Sequence, residues 1–123
     1  MRLLLDTHTL IWWDADELPR RVTASIQNAD VVFVSAVTAW EIAIKSALGK
    51  LVARGTVEDA IADYGFTALP VSVRHADAVR ALAPHHRDPF DRMLVAQAQL
   101  EDLVIVTRDP AFKHYDVRVR WNS

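Results

Sequence analysis

The chain has 123 residues, of which 51% are apolar and 24% charged, a composition typical of one globular domain spanning residues 1–123. A formal net charge of −2 argues against binding nucleic acid through bulk positive charge, and the absence of cysteine excludes disulfides, zinc–thiolate sites and cysteine nucleophiles. The apolar run near the first residue is too short for a signal peptide and no run could span a bilayer, so we expect a cytoplasmic protein with no membrane contact.

The first half of the chain alternates apolar runs with helix signals. In chain order, the predicted elements are a buried strand at residues 2–5, a helix at Thr7–Asp14, a helix from Leu18-Pro19 to near Asn28, a strand at Val31–Val34, and a helix between Ser35 and Gly49. β-Branched and aromatic side chains identify the second strand, and Ser35 is a typical helix N-cap. The apolar face expected for the last helix consists of Val37, Trp40, Ile44 and Leu48.

The second half continues this alternation. Its predicted elements are an acidic helix from Thr56 to Gly65, a strand at Phe66–Val71, a helix capped by Ser72, a helix that starts at Asp88-Pro89, a buried strand at Leu103–Val106, a helical turn at Asp109-Pro110, and a final strand at Val117–Trp121. Pro70 places the Phe66–Val71 strand at or near a sheet edge. The helix after Ser72 is expected to face inward through Val73, Ala76 and Val79. Strands alternating with helices indicate an α/β fold, with a largely parallel sheet covered by helices on both faces.

Four acidic residues follow strand-like runs or open helix-like segments: Asp6, Glu41, Asp91 and Asp109. In an open α/β fold these places lie at the carboxyl ends of parallel strands, where ligands bind. Four carboxylates gathered there repel one another and stay ionised together only with cations between them. All-oxygen ligands favour Mg²⁺ or Mn²⁺, and such ions commonly act on phosphate esters.

Each of these acids also has a purely structural explanation. Asp6 and Asp109 suit helix N-caps, worth ~1 kcal/mol each. Glu41 suits an i,i+4 pair with Lys45, worth roughly 0.2–0.5 kcal/mol, or a capping box with Thr38 if the helix starts later. Asp91 lies in the first turn of a helix that already has an aspartate cap, where an acid favours the helix dipole. The joint pattern is the stronger argument, because caps alone would scatter acids over helices regardless of which strand ends converge.

Polar residues beside the acids are candidates for contact with a phosphate backbone. Thr107 is placed either to orient Asp109 or to donate a hydrogen bond to a phosphate. Arg108, next to Asp109, is the best arginine candidate. Arg87 and Arg92 serve equally well as solvated residues of a helix surface.

Histidine and tryptophan residues near the acids are ambiguous. His8, His85 and His86 match no histidine–metal motif and are expected to be surface loop residues. Trp12 and Trp13 belong to four large apolar residues in little more than one helical turn, which cannot all face one core. We therefore expect one tryptophan to be partly exposed, in a dimer contact or a partner groove, although a neighbouring helix that buries both would also satisfy the pattern.

Four segments together resemble a known family. They are Leu4-Leu5-Asp6-Thr7-His8, SAVTAWEIAIKSALGK at residues 35–50, HRDPFDRMLVAQA at residues 86–98, and Val106-Thr107-Arg108-Asp109. In this order they resemble the PIN-domain ribonucleases, and most closely the VapC toxins of bacterial toxin–antitoxin pairs. The resemblance spans nearly the whole chain, and its middle two segments are long and specific.

The resemblance implies a three-layer α/β/α sandwich around a five-stranded, mostly parallel sheet. It also implies an endoribonuclease dependent on Mg²⁺ or Mn²⁺, with Asp6, Glu41, Asp91 and Asp109 at the acidic positions of the family's site. Proteins similar to VapC are usually homodimers, act on RNA to inhibit translation or growth, and are inhibited by a small cognate antitoxin.

Two other functions fit parts of the pattern. An aspartyl-phosphate phosphatase on a similar sheet needs a second aspartate two residues after the nucleophile, and His8 occupies that place. A non-catalytic module of the same fold could use Trp12 and Trp13 to hold a protein partner, but it would have no need of all four acids. Metal-dependent cleavage of RNA separates the nuclease from this second alternative.

Overall fold

The computed structural model describes residues 1–121. Asn122 and Ser123, which the expected domain includes, lie outside the described residues. The strands are β1 (Arg2–Leu5), β2 (Val31–Ser35), β3 (Thr67–Leu69), β4 (Val104–Val106) and β5 (Arg118–Arg120). The helices are α1 (Thr7–Asp14), α2 (Arg20–Gln27), α3 (Ala36–Ala47), α4 (Val57–Tyr64), α5 (Val73–Ala78) and α6 (Pro89–Glu101), with 3₁₀ turns at Val79–Ala81 and Pro110–His114.

The five strands form one parallel sheet in the order β3-β2-β1-β4-β5. The chain adds β2 and β3 on one side of β1 and then returns to add β4 and β5 on the other side. The direction of winding therefore reverses between β1 and β4, and ligands bind outside the carboxyl ends of strands at such a reversal. The expected α/β/α architecture is confirmed, and β3 lies at a sheet edge as Pro70 indicated.

Both faces of the sheet are buried, which explains why its central strands are almost continuously apolar. Along β1, Leu3 and Leu5 point to the face that packs against α1 and α2, where Leu10 and Val22 complete the core. Leu4 points to the opposite face, which is covered mainly by α3 and α6. Among the described residues, no helix combines the length and apolarity that a membrane span requires.

Two predicted helix faces differ from the structure. On α3, Trp40 is 59% exposed and Leu48 is 63% exposed, while Glu41 is buried. On α5, Val73 is 79% exposed and Ala76 is also exposed. Val37 of α3 is buried as expected, but apolar spacing alone misidentified the rest of these faces, because the inward side of each helix carries polar groups that have buried partners. Those partners come from distant parts of the chain.

A buried polar network joins α5 and α6 to the end of β2. Gln97 is fully buried, accepts from Ser35 Oγ through Oε1 at 2.6 Å, and donates from Nε2 to the Pro70 carbonyl at 3.2 Å. Its Nε2 also lies 3.3 Å from Nδ1 of His75, and Nε2 of His75 lies 2.9 Å from Glu101. The network therefore explains why α5 turns a histidine, and not a valine, toward the protein interior.

Replacing Gln97 should destabilise the fold. Gln97→Leu keeps a similar volume but leaves the Ser35 hydroxyl and the Pro70 carbonyl without their buried partner. An unpaired buried polar group costs about 1–3 kcal/mol, so we expect the free energy of unfolding in urea to fall by about 2 kcal/mol or more. The control is Gln99→Leu on the exposed side of the same helix, which should change it by about 0.5 kcal/mol or less. Equal losses in both variants would contradict the importance of the network.

Candidate metal centre

Asp6 ends β1 and caps α1. Its Oδ1 accepts a hydrogen bond from the backbone N–H of Thr9 at 2.9 Å, and its Oδ2 accepts one from Thr107 Oγ1 at 2.5 Å. Thr107 follows β4, so this second hydrogen bond links the ends of two neighbouring strands. Burial raises the pKa of Asp6 above its ordinary value of 3.8, while the hydrogen bonds from Thr107 and Thr9 act in the opposite direction. Asp6 is thus a buried carboxyl group held at both oxygens.

Glu41 is 2% exposed on α3 and contacts one neutral and one cationic side chain. Thr7 Oγ1, at the start of α1, donates to its Oε1 at 2.6 Å. Lys45, one helical turn further on, donates from Nζ to Oε2. The hydrogen bond to Glu41 raises the pKa of Lys45 above 10.5, and the charges of Asp88 and Asp91 add to the effect. The i,i+4 pair expected from the sequence is confirmed, and it lies beside the other acids.

Asp91 projects from the first turn of α6 and is the most perturbed of the acids. Asp88 caps the helix, because its Oδ1 accepts from the backbone N–H groups of Phe90 and Asp91 at 2.8 and 3.2 Å. The pKa of Asp91 is raised from 3.8 to about 8, first by burial and then by the nearby charges. Those charges belong to Asp88, Asp6, Glu41 and Asp109. The four acids identified in the sequence therefore come together at the carboxyl edge of the sheet; we call Asp6, Glu41, Asp91 and Asp109 the carboxylate cluster.

Asp109 begins the 3₁₀ turn after β4 and is fixed by residues on both sides of it. Its Oδ1 accepts from the Ala111 N–H at 2.9 Å, and its own N–H donates to Thr107 Oγ1 at 3.0 Å. Its Oδ2 accepts from Nε2 of His86 at 3.2 Å, and the same nitrogen lies 2.9 Å from Asp91 Oδ2. His86 therefore lies between the last two acids of the cluster.

The carboxylate cluster has the chemistry of a divalent-cation site. Carboxylate oxygens are the ligands that Mg²⁺ and Mn²⁺ prefer. Within residues 1–121, Asp91 Oδ1 accepts no hydrogen bond and is available to a ligand. Burial and then repulsion raise the pKa of Asp91, and a cation among these oxygens would offset the repulsion. The residues present therefore fit such an ion.

The polar residues expected to contact phosphate have different positions in the structure. Thr107 is 1% exposed, and because its hydroxyl donates to Asp6 it orients acids and does not reach the surface. Arg108 and Arg87 are exposed, and the Arg108 guanidinium lies 5.8 Å from the Trp12 ring centre. Arg92 is instead tied to the segment before α6. Its guanidinium donates to the carbonyls of Val79, Leu82, Ala83 and His86 and to the Tyr115 hydroxyl.

His86 lies beside the acids, which the sequence pattern did not predict. His8 and His85 are exposed as expected, but the expectation of a solvated loop side chain is wrong for His86, which contacts Asp91 and Asp109. A positional signal was available, because His86 precedes the cap of α6 by two residues and so lies at the same edge of the sheet as the acids.

The two tryptophans of α1 are both half-buried but in different surroundings. Trp13 packs against Tyr64 and Phe66, with ring centres 5.7 and 5.6 Å away, and extends the core on the α1 side of the sheet. Trp12 lines a groove of about 510 Å³ between α1, Ile42 of α3, the loop after α3 and α4. Trp12 is therefore the tryptophan that a partner could reach.

Comparison with known proteins agrees with this fold. The model of the PIN domain family matches residues 3–118. The chain belongs to the PIN-domain family. No curated protein matches the sequence of this PIN domain.

Several solved structures share the fold of this PIN domain. A chain of the DNA-bound VapBC complex from Salmonella typhimurium has a TM-score of 0.69 and 20% identity, covering 98% of this chain and 97% of that one. A chain of a Klebsiella pneumoniae toxin–antitoxin complex has a TM-score of 0.68 and 20% identity, with 98% of each chain covered. A chain of FitAcB from Neisseria gonorrhoeae has a TM-score of 0.63 and 23% identity, with 95% of each covered.

The raised pKa of Asp91 predicts that stability without metal falls as the pH increases. Between pH 3.8 and about 8, the unfolded chain ionises this carboxyl, whereas the folded protein must bind a proton or bury a charge there. The free energy of unfolding should therefore decrease across that window, by roughly 1.4 kcal/mol for each pKa unit at most.

Asp91→Asn removes this effect. In EDTA at pH 8, we expect the variant to melt about 5 °C or more above the wild type, with a smaller difference at pH 5. Thermal unfolding across this pH range measures the difference, and Asp102→Asn, in a residue exposed on the surface, is the control. A variant with the same pH dependence as the wild type would show that Asp91 is not the residue responsible.

Proposed function

We propose that this PIN domain is a metal-dependent endoribonuclease and the VapC-type toxin of a toxin–antitoxin pair, hydrolysing RNA phosphodiester bonds with Mg²⁺ or Mn²⁺. The observation that carries the proposal is the convergence of four carboxylates from four separate segments on one partly buried site. A structural role would require only local caps and pairs. Membership of the PIN-domain family supports the same function.

The chemistry assigned to the site needs few protein groups. A bound divalent cation would supply hydroxide at neutral pH and neutralise charge on the phosphoryl oxygens. Asp6, Glu41 and Asp91 would hold the principal ion, and Asp109 would complete the site or orient the attacking water. These side chains are suited to the task because hydrogen bonds fix Asp6, Glu41 and Asp109 before any ligand arrives.

Two exposed or half-exposed cations could bring a phosphate backbone toward these acids. Arg108 is exposed next to Asp109, and its guanidinium lies over the Trp12 ring. Lys45 reaches the rim of the cluster through its pair with Glu41. Arg92 is a weaker candidate because its donors are committed to the protein backbone, and Thr107 because it is buried. We therefore assign substrate contact to Arg108 first.

The nuclease proposal predicts that Asp6→Asn abolishes cleavage. The amide keeps the size of the side chain but removes a negative charge from the metal centre, and we expect cleavage of RNA in Mg²⁺ or Mn²⁺ to fall about 100-fold or more. Asp102→Asn should retain wild-type activity, and EDTA should abolish activity in both the control and the wild type. Activity of Asp6→Asn near the wild-type level would remove Asp6 from the mechanism. A wild type that binds metal but cuts no RNA would favour the non-catalytic alternative.

The proposed partner is a small antitoxin, as in the Klebsiella pneumoniae toxin–antitoxin complex, one chain of which shares this fold. The groove lined by Trp12 is the candidate surface for it. Its walls combine apolar residues such as Leu51 and Val52, which is 90% exposed, with an excess of negative charge. The acidic residues that line it are Asp14, Glu17, Asp59 and Asp63, and the basic one is Arg54. A basic, partly apolar segment of the antitoxin is complementary to such a groove.

Charge reversal tests this surface. The double variant Asp59→Lys and Asp63→Lys should weaken binding of the antitoxin encoded beside the chain by about 10-fold or more, with a slower association rate at low salt. Glu58→Lys, in the same helix but outside the groove, is the matched control. Surface plasmon resonance with the co-expressed and separated antitoxin measures both. Equal effects of the groove and control substitutions would place the interface elsewhere.

The remaining features of the proposal follow from the resemblance to VapC. We propose one nuclease domain for residues 1–123, a homodimer in solution, and action in the cytoplasm. Trp40, which is 59% exposed on α3, is an apolar side chain available for contact between copies.

A further inference from the structure

Contacts to both the backbone and the ring hold His86 in place. Its backbone N–H donates to the Tyr115 hydroxyl at 2.8 Å, and its carbonyl accepts from Arg92 at 3.4 Å. Its ring stands edge-on to Phe112, with ring centres 5.8 Å apart. A loop histidine with no role in the site would not need its ring direction fixed in this way.

The surroundings of the ring determine which nitrogen carries the proton. Nδ1 accepts from the backbone N–H of Asp88 at 3.3 Å, so Nδ1 presents its lone pair and the hydrogen is on Nε2. That Nε2–H donates to Asp109 Oδ2 at 3.2 Å and lies 2.9 Å from Asp91 Oδ2. The imidazole therefore directs a hydrogen-bond donor at two carboxyl groups.

We propose that His86 is a positioning residue, which holds Asp91 and Asp109 in place for the cation through its Nε2–H and does not itself bind the ion. This inference rests on the metal centre of the proposed function. His86 Nε2 and the carboxylate oxygens lie within 4.8 Å of one another, a spacing that would also suit a nitrogen ligand. A ligating histidine, however, donates its other N–H to an acceptor, and here the other nitrogen faces an N–H donor.

A neutral donor suits this position better than a cation would. The side chain of Asp109 is 41% exposed, and without His86 only its Oδ1, bonded to the Ala111 N–H, would be held. The N–H of His86 and the N–H of Ala111 fix its two oxygens. A neutral imidazole does so without placing a positive charge where a metal ion has to approach.

Nuclear magnetic resonance of the metal-free wild type tests the tautomer directly. Long-range ¹H–¹⁵N correlation spectra should show His86 protonated at Nε2, and addition of Mg²⁺ should leave that proton in place. Protonation at Nδ1, or loss of the Nε2 proton on Mg²⁺ addition, would overturn the proposal. This measurement needs no variant and no activity.

Substitutions then test the positioning role by calorimetry with Mn²⁺. His86→Leu keeps the apolar contact with Phe112 but lacks a donor, and we expect Mn²⁺ affinity to fall about 10-fold or more. His86→Gln supplies an N–H of similar reach and should recover most of the affinity. The matched control is His85→Gln, in the neighbouring exposed residue, which should bind Mn²⁺ as the wild type does.

The possible failures are distinguishable. Wild-type affinity in His86→Leu would refute the positioning role while leaving the metal centre intact. A wild type that takes up no Mn²⁺ would refute the metal centre and with it this role of His86. In pulsed electron paramagnetic resonance of the Mn²⁺-loaded wild type, we expect no directly coordinated imidazole nitrogen. A ¹⁴N coupling that disappears in His86→Gln would make His86 a ligand and overturn the proposal.

Discussion

Repulsion among carboxylates is the constraint around which this end of the molecule is built. Asp91 is buried and lies near four other acids, and burial first and then their charges raise its pKa to about 8. The surrounding structure holds the groups together against that repulsion. Thr107 bridges Asp6 and Asp109, and Thr7 and Lys45 bond Glu41. Backbone N–H groups hold Asp6 and Asp109 at the starts of their helical segments. The carboxylate cluster therefore lowers the stability of the fold, and the proposed cation site requires its charges.

Capping and metal binding are not competing explanations for these acids. Asp6 and Asp109 accept hydrogen bonds from the first turns of the segments that they begin, as N-caps do. Each cap also fixes the direction of its carboxylate, and the parallel sheet brings the start of these segments to one edge. The reversal of winding between β1 and β4 places the ends of those two strands side by side. The hydrogen bonds that cap these helical segments thus also hold the carboxylates in position for a ligand.

Sequence reasoning succeeded where the signals are local and failed where they depend on distant partners. Strand ends and caps are set by neighbouring residues, so the elements bearing Asp6, Asp91 and Asp109 were predictable, as was the edge position of β3. The exposure of Trp40 was not predictable, because the spacing of apolar residues cannot say what covers a helix. The place of His86 was missed for a similar reason, since its contacts to Phe112 and Tyr115 cross more than twenty residues.

The charge distribution favours different surfaces for the two ligands that we propose, RNA and an antitoxin. Without the four acids of the cluster, the chain has 14 basic and 12 acidic residues, so neutralisation of the cluster by cations leaves a surface that no longer repels RNA as a whole. The groove beside Trp12 keeps its excess of acids whether or not a metal is bound. That groove therefore disfavours a polyanion and favours a basic polypeptide under all conditions. An antitoxin segment bound there would place its positive charge next to α1, which Asp6 caps, and next to α3, which carries Glu41. The acids that disfavour RNA in the groove would in this way direct a protein partner toward the proposed metal centre.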